Sequence, residues 1–167
     1  MSAQTQKPVS TATAPDARQF SLPVRVLEAS FPIGSRRGVG SMLNPLAARH
    51  VGLIRALTQQ HLDQHGLPKS LVYDAVLVVS ELVTNVVTHS IGGRQASVRI
   101  SRAGSRLRIT VAHDGAPGQP TVLNPHDDEE HGRGLRLVEG LAAAHGGTWG
   151  AEGPVTWCEL ALPADLR

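Results

Sequence analysis

The chain has 167 residues, 41% hydrophobic and 18% charged, enough for one domain with a core of its own. A net charge of +2, no long Lys/Arg block and 3% aromatic residues argue against direct nucleic-acid binding, which needs a basic stripe or stacking aromatics. The one cysteine, Cys158, precludes an internal disulfide, and residues 1–20 lack the apolar core of a signal peptide. Glu81 and Asn85 interrupt the most apolar run, so no membrane segment is expected and the expected compartment is the cytoplasm.

Residues 1–20 are Ser, Thr, Ala, Gln and Pro without periodicity and read as a disordered leader, with one domain over 21–167. A strand is expected at Val24–Phe31. The basic run Gly34–Gly40 reads as a solvated loop, since no P-loop spacing is present. Asn44-Pro45 pairs an N-cap residue with a first-turn proline and predicts a helix to about His65, ended by Gly66 at C′. Leu46, Val51, Ile54, Leu57 and Leu62 of that helix are expected to point inward. His61 and His65 lie one turn apart, but Leu62-Asp63-Gln64 between them lacks the Glu of the zinc-protease pattern, so surface histidines are expected.

Lys69 to just before Gly92 predicts the central helix. Val76, Val79, Val83 and Val86 recur at three- and four-residue steps, while Glu81, Asn85 and His89 climb another face at i, i+4 and i+8. Valine-rich helices have mediocre intrinsic propensity, so packing must hold this one. Two alternating segments follow, Ala96–Arg102 and Arg106–His113, joined through Gly104 as a hairpin. A long Pro- and Gly-rich loop comes next, with Asp127–Glu130 as its acidic run. Gly132-Arg133-Gly134 then opens a helix over Leu135–His145, with Leu135, Leu137, Val138, Leu141 and Ala142 as its apolar face. Strands Thr148–Glu152 and Val155–Leu162 close the chain. The expected fold class is α/β, an α+β two-layer sandwich with helices on one face of a mixed, largely antiparallel sheet.

Three short stretches carry the chemistry: Glu81/Asn85 on the core helix, Asp114-Gly115 with Gly118 after a strand, and Gly132-x-Gly134 at a helix N-terminus. Together they suit a nucleotide. Glycines allow close backbone approach, and helix N-terminal N–H groups bind phosphate oxygens. A strand-end carboxylate can accept from an exocyclic amine such as that of adenine. An amide oxygen suits Mg²⁺, and a neighbouring Glu can act as base.

ELVTN, HDGAPG and GRGL, in that order, resemble the N box and the two glycine boxes of the GHKL (Bergerat-fold) ATPase superfamily. Within it the chain resembles the small stand-alone ATP-binding proteins related to anti-sigma-factor serine kinases. The resemblance runs from about Val24 to Pro163. It implies Asn85 as the Mg²⁺ ligand, Glu81 as general base, and Asp114 as the acceptor of the adenine amine, with Gly115 and Gly118 giving the base room. It implies Gly132, Arg133, Gly134 and Leu135 as the phosphate-binding turn, His89 near the phosphates, and residues 117–131 as an ATP lid. Pro154 stands where relatives often carry Lys, and the threonine that the resemblance implies on the adenine side is either shifted to Thr156 or missing. The activity implied is transfer of the ATP γ-phosphate to a Ser or Thr of an anti-sigma-factor antagonist, with a sigma factor as second partner; a homodimer is compatible with it. The alternative is a module that switches partners without phosphoryl transfer.

Overall fold

Alternation with a period of two makes strands of the segments that can bury one face, and the computed structural model shows which face that is. It describes residues 27–33, 45–90, 92–115, 133–152 and 154–164, with residues 45–47, 89 and 133 described by their backbone alone. In chain order the elements are β1 (Leu27–Pro32), α1 (Pro45–Gln64), α2 (Lys69–His89), β2 (Gln95–Ala103), β3 (Arg106–His113), α3 (Arg133–Ala144), β4 (Thr148–Glu152) and β5 (Val155–Ala161). The expected leader, the run Gly34–Gly40, Asn44 and the loop over residues 117–131 lie outside the described residues.

The strands form one sheet in the order β1-β2-β3-β5-β4, and every described pair is antiparallel. The largely antiparallel sheet expected from the sequence is thus borne out, with no parallel pair among the described strands. The reason lies in the connections. Between β1 and β2 the chain makes two helical passes joined by a tight turn, so β2 runs back along β1. Between β3 and β5 it passes through α3 and β4, again two intervening passes and so an odd number of reversals. Parallel neighbours would need a single crossover.

Glycines set the turns. Gly66 (φ +69°) and Gly146 (φ +60°) end α1 and α3 in the left-handed conformation. In both turns the glycine N–H and the next N–H bond back to carbonyls, Gly66 to Asp63 and Leu67 to Leu62, then Gly146 to Ala143 and Gly147 to Ala142. These are Schellman closures, and they satisfy carbonyls the helices would otherwise leave bare.

Helix α2 lies at the centre, packed on α1, α3, β2, β3 and β5. Ala75, Val78, Val79, Leu82 and Val83 are fully buried, and each large aliphatic among them contributes about 1.5–3 kcal/mol by leaving water. That packing offsets the weak helix propensity of its valines. By length and composition alone Lys69–Thr88 could cross a membrane, yet 61% of the window is buried inside the protein, as in a core helix. On the sheet side, Val98, Ile100, Leu107, Ile109, Val111, Cys158 and Leu160 complete the core. From α1, Ile54 and Leu62 are buried, and Val51 and Leu57 pack partly against them. Leu137 departs from expectation and is exposed. It lies about 200° round α3 from Leu135, whereas Val138 and Ala142 follow Leu135 onto the inner face. His65 Nδ1 lies 2.7 Å from the His61 carbonyl, and no group of three potential metal ligands occurs among the described residues.

Candidate functional site

The polar stripe of α2 begins at Glu81. Its side chain is half-buried and lies against Gly134 in the first turn of α3, where a Cβ would overlap the carboxylate Oε2. A side chain at 134 would therefore displace the Glu81 carboxylate: the space belongs to Glu81. Asn85, one turn along the same face, is also half-buried, and its amide has no hydrogen-bond partner among the described residues. His89 is the last residue of α2; its side chain is outside the described residues. At the N-terminus of α3, Gly132 lies outside the described residues, Arg133 is the first helical residue, and Leu135 is buried in the core. Leu135 thus anchors the turn by packing. The arrangement puts a carboxylate and the free N–H end of a helix side by side, with an amide one turn away.

The second part of the site is the end of β3. Asp114 is exposed, and its Oδ1 accepts from the backbone N–H of Arg94 at 2.7 Å and of Gln95 at 2.9 Å. Those bonds hold its carboxyl below the usual range, first through Gln95 and then through Arg94. The carboxylate thus ties the start of β2 to the end of β3. Gly115 packs against Gly93, where an added Cβ would come within 3.1 Å of the Gly115 nitrogen and 2.9 Å of Ile33 Cδ1. Gly118 lies outside the described residues.

His113, one residue earlier, had no part in the sequence reading. It pairs with Ala96, which is buried and pairs in turn with the buried Phe31, so it shares the helix-covered face of the sheet with Leu107, Ile109 and Val111. Its N–H donates to the Pro154 carbonyl at 3.1 Å, and its Nδ1 accepts from the Gly115 N–H at 3.2 Å. Burial lowers its pKa, with the Asp114 charge opposing, so the ring is neutral at pH 7. The signal that could have found it was the strand period: if Val111 faces inward, so does His113, and Asp114 does not. Gly93 was also missed, since only its contact across the chain marks it. Thr156 is buried on the same face, opposite Val111 and Ala151, and stands diagonally to His113 across β3 and β5.

Three separated segments therefore meet in two places. Glu81 and Gly134 come together where α2 meets α3, with Asn85 one turn along α2; His113 and Thr156 lie where β3 meets β5, with Asp114 and Gly115 beside them at the end of β3 and Asp114 tied to the start of β2. The loop that leaves α2 connects the two, because Gly93 in it rests on Gly115. A glycine packed against Glu81, an amide with no partner among the described residues and a helix N-terminus fit a nucleotide phosphate with a hard cation.

Residues 44–157, more than half of the chain, match the family described as a histidine kinase-like ATPase domain. Comparison with curated proteins gives no match. Among solved structures, a histidine kinase domain from the blue-light activated histidine kinase of Erythrobacter litoralis EL346 is similar, at 22% identity and a TM-score of 0.42. The match covers 75% of this chain and 66% of that one, just under two thirds. The chain belongs to the histidine kinase-like ATPase domain family.

Proposed function

We propose that this domain is a cytoplasmic ATP-binding regulator that transfers the ATP γ-phosphate to a Ser or Thr of an anti-sigma-factor antagonist and also binds a sigma factor. The observation that carries this reading is the seat of Glu81 against Gly134, which sets a carboxylate beside the N-terminal N–H groups of α3. Those N–H groups would bind phosphate oxygens. Asn85 would hold Mg²⁺ through its amide oxygen, and the ion when bound neutralises charge on the phosphates. Glu81 would take the proton of the attacking hydroxyl. Thr156 and the glycines at the end of β3 would line the base.

The second reading, partner switching without transfer, draws on Pro154: relatives often carry Lys there, and a proline offers no cation. Calorimetric titration with Mg·ATP on wild type and Asn85→Ala, followed by transfer to an antagonist by wild type and Glu81→Gln, separates them. Magnesium-dependent binding that Asn85→Ala loses, with transfer lost in Glu81→Gln while binding persists, supports the kinase. Binding with no transfer by wild type supports the switch. Folded wild type that binds no nucleotide sinks the kinase and leaves a scaffold that switches partners through its contacts alone.

A further inference from the structure

Asp114 and His113 are neighbours in sequence, but the pleat sends them to opposite faces. The Asp114 carboxylate is engaged with Arg94 and Gln95 at the start of β2, while His113 lies on the helix-covered face beside Thr156. The Gly115 N–H can only donate, so the His113 Nδ1 it reaches must be the acceptor, and in a neutral imidazole the proton then sits on Nε2. Among the described residues that Nε2–H has no partner. A base lined by Thr156 and the glycines at the end of β3, as proposed above, would therefore meet a donor at 113.

The geometry points to His113 as the residue that reads the base, through a donated Nε2–H, so that the site takes 6-oxopurine nucleotides such as GTP at least as readily as ATP. This rests on the reading of the domain as a nucleotide-binding site. The exocyclic amine of adenine is itself a donor and cannot pair with Nε2–H. The O6 of guanine and the N7 of either purine are acceptors and can. Guanine thus offers this donor two acceptors, O6 and N7, and adenine only N7, so the donor at 113 removes the basis for preferring adenine.

The test is calorimetric titration of the whole chain with Mg·ATP and Mg·GTP, for wild type and His113→Asp. An Asp at 113 can still accept from the Gly115 N–H and restores an acceptor for the amine. Wild type is expected to bind GTP as tightly as ATP or more tightly, and His113→Asp to shift the ratio toward ATP by about tenfold or more. Long-range ¹H–¹⁵N spectra of the wild-type imidazole are independent of how well the variant folds. The Nε2–H tautomer is expected, and its resonance should move on saturation with GTP. Wild type that prefers ATP by more than about tenfold overturns this inference while leaving nucleotide binding intact, and so does a proton on Nδ1 or a ring that GTP leaves unmoved. No binding of either nucleotide by folded wild type overturns the binding reading along with it.

Discussion

Replacing Gly134 with Ala separates the structural role of the α2–α3 contact from its chemical one. The new methyl would overlap Glu81 Oε2 and lie 3.3 Å from its Cδ and 3.7 Å from its Cβ. All three atoms belong to one flexible side chain, and the backbone at 134 is already helical, so the carboxylate moves and the fold does not. Forcing Glu81 off its rotamer costs about 0.5–1.5 kcal/mol. Alanine for glycine in a helix returns up to about 1 kcal/mol. The two nearly cancel, and the unfolding temperature should move by less than about 4 °C for a chain of this size. Catalysis has no such compensation: with Glu81 as the general base proposed above, its displacement would cost about 10²–10⁴ in rate. Thermal unfolding by circular dichroism beside single-turnover phosphoryl transfer reads both quantities. Adding Glu81→Gln to Gly134→Ala should then lower transfer little further, since both remove the same group. A loss of more than about 3 kcal/mol in stability would refute the reasoning, because Glu81 would then be a locked packing element. Unchanged transfer would refute it from the other side.

Asp114→Ala leaves the N–H groups of Arg94 and Gln95 without their acceptor and should lower the unfolding temperature at neutral pH. Because folding depresses this carboxyl's pKa, its contribution is present above about pH 4 and is lost as pH falls through the lower folded value. The gap between wild type and variant should therefore close below pH 4, and a constant gap from pH 7 to pH 2 would contradict this. Gly93→Ala places a Cβ 3.1 Å from the Gly115 nitrogen and 3.2 Å from its Cα, contacts that only a backbone shift relieves. Urea denaturation should report about 1–3 kcal/mol of destabilisation, and less than about 0.5 would show that the loop gives way freely. Burial, with the Glu159 charge adding to it, pushes the Cys158 thiol up to about 12, so almost no thiolate exists at pH 8. Labelling by an aromatic disulfide should follow global unfolding in urea, and rapid stoichiometric labelling of the native protein would be the contrary result.

Local rules determined most of the framework. Gly66 and Gly146 end helices where their freedom to take positive φ is needed, and Gly104 turns the β2–β3 hairpin for the same reason. The spacing of Val79, Val83 and Val86 predicted a buried helix because the 3.6-residue period acts within one element. The alternation in Arg106–His113 gave a strand with those very bounds. Glu81 and Asn85 stood out in the sequence as a candidate site because polar side chains have few structural reasons to interrupt so apolar a helix.

Tertiary structure decided the rest, since it depends on pairings between distant parts of the chain. That Gly134 is the floor under Glu81 follows from the packing of α3 on α2, which no local pattern encodes. The direction of each strand depends on how many times the chain reverses between neighbours, and that made the sheet antiparallel throughout the described strands. Leu137 looked like part of an apolar face until α3 was docked and its rotation chosen. His113 and Asp114 differ by one position. Only the register of β3 against β2 and β5, together with the side the helices cover, assigns one to the core face and the other to the backbone of β2.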